Sequence, residues 1–258
     1  MKKLPIVSTL NQKRMTALAE RGNHTISIAD AAIILKMGPK EVAKLMARWV
    51  ERGWFRRIKR GLYVYLTSES THSIIENGWV IGTKLYSPCY VGALSAAQYW
   101  GFCDKDCSSI NILSIKKPRT RSFTMNGVHF VVRTVSQETI FGLEIVICDG
   151  MEVLISDPSR TMIDFLVDPQ LGGGIANVID MFKRYLKSSH GDVELLYDYA
   201  RKILRGSVYK RLGYLLEYCG SCEFNIIELC KKMQTSGILK LDPLVDGNKL
   251  ITKWGLWV

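Results

Sequence analysis

The sequence predicts an α+β protein in two parts. An N-terminal winged helix-turn-helix over residues 1–68 is followed by a larger mixed α+β domain over residues 72–258, whose C-terminal part is helical. Three observations carry that expectation. The formal net charge of +11 is confined to one end: the first 65 residues set fourteen Lys and Arg against four acids, and the other 193 set 21 bases against 20. Under that charge lie short helical patterns, a Gly-Pro turn and a basic hairpin, in the order a winged helix requires. Beyond them strand patterns come first and helical patterns later, which indicates an α+β domain rather than a doubly wound one.

The first helix is predicted over Gln12–Glu20, with Met15, Leu18 and Ala19 at helical spacing and Gly22 just past its end. An extended stretch, Thr25-Ile26-Ser27, leads to a second helix over Ile28–Lys36, where Ala32, Ile33 and Leu35 supply apolar surface. Met37-Gly38-Pro39 turns the chain. Pro39 suits the first position of a third helix, because the N–H it lacks has no partner there anyway. In that helix, Pro39–Arg52, one face holds Val42, Leu45, Met46, Trp49 and Val50, and another holds Lys40, Lys44, Arg48 and Arg52 at every fourth residue. Gly53 stops it. From Trp54 to Leu66 two apolar-rich strands flank a turn at Lys59-Arg60-Gly61, with Arg56, Arg57, Lys59 and Arg60 at or beside it.

A helix-turn-helix lays its second helix in the major groove, where residues near the helix N-terminus reach base edges. Lys40 and Lys44 are therefore the candidates for specificity, with Arg48 and Arg52 beside them. Arg56, Arg57, Lys59 and Arg60 suit phosphates or the minor groove. A basic helix face alone is commonly just solvated. Its coincidence with the turn and the basic hairpin is what points to double-stranded DNA.

The segment Gly53–Tyr63 resembles the wing of the AbiEi-type abortive-infection antitoxins. The resemblance extends to Tyr90–Ala97 with Trp100-Gly101-Phe102, to Ser156–Asp164 and to Arg211–Glu217, in the family's order. It implies an antitoxin of a type IV toxin–antitoxin pair, partnered functionally with a nucleotidyltransferase-like toxin. It further implies autorepression through operator repeats bound by the winged helix, and neutralisation of the toxin by the C-terminal domain, typically without a stable complex.

In the second part, Thr67–Thr71 is the expected linker. A helix is predicted near Ser73–Leu85, then a short strand, a helix around Ser95–Trp100, and strands at Ile110–Ile115 and Val128–Thr134 with Met125-Asn126-Gly127 as a turn. Leu143–Cys148 and Glu152–Ser156 should pair through Asp149-Gly150. From Asp157, an N-cap followed by Pro158, the pattern is mostly helical.

Several residues admit a chemical reading beside a plain one. Asp157 and Asp164 lie seven apart with Asp168 beyond, a spacing that could hold Mg²⁺; equally, Asp157 caps the helix and Asp168 ends it before Pro169. Gly172-Gly173-Gly174 lacks phosphate-loop spacing and suits a connection. Cys103 with Cys107, and Cys219 with Cys222 and Cys230, could meet at zinc only if the fold joins them; otherwise they are idle thiols. His24, His72, His129 and His190 show no ligand spacing. Hence no catalytic residue, metal or cofactor is expected. Lys116, Lys117, Arg119 and Arg121 form a basic loop between strands, either solvated or a second nucleic-acid contact. An odd cysteine count and the absence of an apolar leader or membrane-length run favour a cytoplasmic, membrane-free location. Two rival classes stay open: a nucleic-acid-processing enzyme docked by its winged helix, and a transcription factor sensing a ligand or redox state.

Overall fold

The computed structural model describes residues 9–22, 25–65, 78–104, 109–125, 127–148 and 151–258. Two units are distinguished: Met1–Ile81 with Thr124–Val128 and Ile147–Glu152, and Gly82–Phe123 with His129–Val146 and Val153–Val258. The expected linker, residues 67–71, lies outside the described residues, as do Asp149-Gly150 and residues 73–77 of the predicted helix.

The first unit runs α1 (Thr9–Gly22), β1 (Thr25–Ser27), α2 (Ile28–Leu35), α3 (Pro39–Glu51), β2 (Phe55–Lys59) and β3 (Leu62–Tyr65). Ser27 starts α2: its hydroxyl accepts from the Asp30 N–H at 3.1 Å and donates to the Asp30 carboxylate at 2.7 Å. Lys36 ends it in the left-handed region at φ 52°. Met15, Leu18, Ile26, Ala31, Val42, Leu45, Met46 and Trp49 build one core.

Two local details differ from expectation. Thr25–Ser27 is more than an extended link, because it pairs antiparallel with β3 and completes a sheet of order β1-β3-β2. Ile33 points outward, 76% exposed, while Ala31 is buried. With seven of its eight residues apolar, α2 has no visible period, so spacing could not choose its inner face.

After α4 (Gly78–Tyr86) come β4 (Cys89–Val91), α5 (Ala93–Tyr99), β5 (Ser109–Ser114), β6 (Ser122–Met125), β7 (Val128–Thr134), β8 (Leu143–Cys148) and β9 (Met151–Ser156). They form a mixed six-stranded sheet, β6-β7-β5-β4-β9-β8. β4 and β5 are antiparallel, whereas β5 runs parallel to β7 and β4 parallel to β9. Strand β6 was not expected; at four residues, its pattern is too short to stand out from the turn it adjoins.

The helices α6 (Pro158–Val167), α7 (Ile175–Lys187), α8 (Val193–Ile203), α9 (Gly206–Tyr218) and α10 (Phe224–Met233) follow. Asp157 caps α6, accepting the Arg160 N–H at 2.6 Å. Every residue from Pro158 to Leu166 is buried, so α6 is the central helix of this unit.

The C-terminal part is mostly helical, as expected, and it ends in a small sheet that the sequence did not mark. Beyond α10 the chain forms β10 (Leu239–Lys240), β11 (Leu250–Ile251) and β12 (Leu256–Trp257), a small sheet of order β10-β12-β11. Strands of two residues carry no periodicity for a sequence pattern to reveal. The sheet docks on α9. Arg211 donates from Nε to the Leu241 carbonyl at 3.0 Å and from Nη1 to the Leu166 carbonyl at 2.9 Å, and Lys210 donates to the Gly237 carbonyl. Trp254, fully buried, donates to Glu217 at 2.7 Å.

Asp242 fastens the same segment. Its carboxylate accepts from Gln170 Nε2 at 2.6 Å, the Ile175 N–H at 2.9 Å and the Leu244 N–H at 3.0 Å. Burial favours the neutral acid, but these donors and Arg211 outweigh it and hold the carboxyl below the ordinary carboxylate range. A depressed carboxyl stabilises the fold above its unfolded pKa, near ~4, and that contribution is lost as pH falls through the folded value. Asp242→Asn is expected to lower the unfolding midpoint at pH 7 and to shrink its loss between pH 5 and 3. An acid limb of unchanged depth would show that Asp242 does not supply it.

Candidate nucleic-acid interface

Helix α3 is built as a rigid support. Gly38 precedes it in extended backbone, with Pro39 at its first turn. Gly53, at φ +74°, closes it: its N–H donates to the Val50 carbonyl at 3.0 Å, and that of Trp54 to the Trp49 carbonyl at 2.9 Å. The Trp49 ring stacks on Phe55 at 5.3 Å, and Phe55 meets Tyr65 at 5.2 Å. Helix and wing are thereby one packed piece. The wing turn is pinned as well, since the Ile28 N–H donates to the Gly61 carbonyl at 2.9 Å, and Gly61 has the positive φ of +83° the turn requires.

On that support Lys40, Lys44, Arg48 and Arg52 are exposed, while Val42, Leu45, Met46 and Trp49 are buried. A step of four residues turns a helix by roughly 40°, so the bases form a slanting stripe beside the buried face. Among the described residues no ion pair takes Lys40, Lys44 or Arg48. Arg52 lies 5.1 Å over the Trp54 ring, which fixes its guanidinium near the helix end.

In the wing, Arg56, Arg57 and Arg60 are exposed. Lys59 belongs to β2, but its side chain lies outside the described residues. β2 is an edge strand, and its register against β3 slips between Arg57 and Lys59, a bulge that bends the ribbon just before the turn. Lys36, exposed in the turn between α2 and α3, is a further base that the sequence reading did not single out. Its position two residues before Gly38 was the available signal.

The candidate acids of the second unit each have a partner in the fold. Asp157 caps α6 and accepts the Tyr199 hydroxyl at 2.6 Å. Asp164 is buried, paired with Arg160 at 2.9 Å and accepting the Tyr90 hydroxyl at 3.1 Å. Asp168 caps the turn at Pro169–Gly172, accepting the Gln170 N–H at 3.1 Å. Gly173 and Gly174 take positive φ of 76° and 99° in the connection to α7. Burial pushes the Cys230 thiol up to about 12, which keeps it protonated. Cys107 lies outside the described residues, and among those described no three His, Cys, Asp or Glu side chains are placed to hold a metal ion. Lys116, Lys117, Arg119 and Arg121 are all exposed on the loop between β5 and β6. No helix among the described residues is long and apolar enough to cross a membrane.

Fold and surface define a winged helix-turn-helix carrying a larger α+β domain. Residues 13–65, the span of that winged helix, match the model of a family described as transcriptional regulator, AbiEi antitoxin. Across the chain the fold resembles the crystal structure of the RV2827C protein from Mycobacterium tuberculosis. The TM-score is 0.61 at 13% sequence identity, over 97% of this chain and 92% of that one. Comparison with curated proteins gives no match. The family match supports a regulator or antitoxin role in general terms.

Proposed function

We propose that this protein is the autorepressor and antitoxin of a type IV toxin–antitoxin system. Residues 1–68 bind repeated operator sequences in double-stranded DNA, and residues 72–258 counteract a nucleotidyltransferase-like toxin. The observation that carries the DNA reading is the exposed basic stripe of α3 beside an exposed basic wing, on one packed support, inside a segment matching a regulator family. Lys40 and Lys44 touch base edges, Arg48 and Arg52 continue along the groove, and Arg56, Arg57, Lys59 and Arg60 neutralise phosphates. The reading requires no catalysis, and it is helped by Asp157 and Asp164 both serving the fold. The loop of Lys116, Lys117, Arg119 and Arg121 is a second phosphate contact.

Binding to the DNA upstream of the gene, titrated against salt, tests this. Each lost phosphate contact flattens the log-affinity against log-salt slope by about 0.9. Arg57→Ala is therefore expected to weaken binding to every sequence and flatten the slope by about one. Lys44→Ala should cost ~1–3 kcal/mol on the operator and relax specificity. Unchanged slope and specificity in both variants would sink the interface. The Lys117→Ala/Arg119→Ala pair, in the same titration, decides whether the loop reaches the operator.

A further inference from the structure

Between Asp106 and Glu138 the chain carries five Lys and Arg and no acid, although the last 193 residues balance 21 bases against 20 acids. Four of the five, Lys116, Lys117, Arg119 and Arg121, stand exposed on the loop between β5 and β6. Among the described residues, none of the four is in an ion pair. The loop is held at both ends. Ser114 fixes its start, donating to the Tyr86 carbonyl at 2.7 Å and accepting the Lys116 N–H at 2.9 Å. At its far end the Val132 N–H donates to the Arg121 carbonyl at 2.8 Å. The strand it enters, β6, is an edge of the six-stranded sheet, so these cations gather at the sheet margin.

Aromatic rings adjoin the charge. Phe123, the second residue of β6, stacks on the buried Phe130 at 5.2 Å with the planes 13° apart, and its ring centre lies 6.0 Å from that of Tyr86. Tyr86 and Phe123 are both half-buried, so each keeps some accessible surface beside the cationic loop. A duplex leaves such rings nothing to stack on, because its nucleobases lie inside the helix. An unpaired strand presents nucleobase faces to aromatic rings and phosphates to cations. Thr120 and Ser122, both exposed, set hydroxyls between the cations and the rings, where they suit the ribose 2′-OH that DNA lacks. We propose that this surface binds single-stranded RNA, with nucleobases on Tyr86 and Phe123 and phosphates on Lys116, Lys117, Arg119 and Arg121. The proposal rests on the reading of the loop as a phosphate contact and adds an occupant other than the operator.

Fluorescence anisotropy of the full chain with a labelled, unstructured RNA of about 12 nucleotides, a length such sites span, tests it. The expected result is saturable binding that survives in Lys44→Ala/Arg57→Ala, where the winged helix is impaired. Each phosphate contact on a single strand contributes about 0.7 to the salt slope, so Lys117→Ala/Arg119→Ala should weaken binding and flatten the slope by about 1.4. Tyr86→Leu/Phe123→Leu keeps apolar volume but removes the rings. It should weaken binding at least about fivefold with the slope unchanged, because stacking carries no charge. Phe123→Tyr, which keeps a ring, should bind as the parent does. Binding lost only in the winged-helix variant, or unaltered in both surface variants, overturns the proposal. Equal affinity for a DNA strand of the same sequence overturns the assignment to RNA. A flattened operator slope in Lys117→Ala/Arg119→Ala without RNA binding would leave the loop's phosphate contact standing and overturn the RNA proposal alone.

Discussion

Asp164→Ala is expected to destabilise the second unit by ~3–5 kcal/mol, because it strands a buried cation. Arg160 and Asp164 are 1% and 3% exposed and lie one turn apart on α6. Tyr90 joins them from β4, accepting from Arg160 and donating to Asp164. Removing the carboxylate leaves the guanidinium with neither counter-ion nor solvent. Replacing both partners by apolar residues avoids that cost, since it is the uncompensated charge, more than the loss of the pair, that destabilises. Arg160→Met/Asp164→Leu should accordingly recover much of the stability that Asp164→Ala loses. Urea denaturation followed by circular dichroism measures both. A loss below ~1 kcal/mol for Asp164→Ala would place the pair among weak surface ion pairs instead.

Gly213→Ala is expected to undock the C-terminal sheet. A Cβ at Gly213 would overlap the Trp254 ring, far inside van der Waals contact. The ring cannot move aside cheaply: it is fully buried, and its Nε1 is tied to Glu217 at 2.7 Å. Overpacking of this kind costs typically 1–3 kcal/mol, and the severity of this overlap argues for ~3 or more. Limited trypsin digestion gives the readout, because Lys240, Lys249 and Lys253 all lie in the docked segment. Rapid cleavage there in Gly213→Ala, with slow cleavage in the parent, is the expected result. Equal protection in both would mean that α9 does not depend on this close approach.

These two variants also give physical content to stretches that the sequence marks only by resemblance. Within Arg211–Glu217 and the residue before it, Arg211 and Lys210 bind carbonyls of the terminal segment, Gly213 admits Trp254, and Glu217 receives its N–H. Tyr90–Ala97 and Ser156–Asp164 are joined by Tyr90 and Asp164, 74 residues apart. No spacing rule links such a pair, and an Arg-Asp combination one turn apart would ordinarily be read as an exposed helix face.

The winged helix was readable because its determinants are local. The apolar and basic faces of α3 follow from 3.6-residue periodicity, Pro39 marks its start, and Gly53 and Gly61 supply the positive φ its end and the wing turn need. Where local signals fell silent, as in the uniformly apolar α2 and the two-residue strands of the tail, expectation and structure parted. By itself, then, the sequence determined the α+β class, the basic winged helix and most strands and helices of the second domain. Only the tertiary structure decided the mixed order of the sheet, the burial of Arg160, Asp164, Lys210 and Arg211, and the docking of the tail on α9. The division has one physical cause: periodicity and turn chemistry act between near neighbours, while buried charge and sheet order depend on partners that only the folded chain brings together.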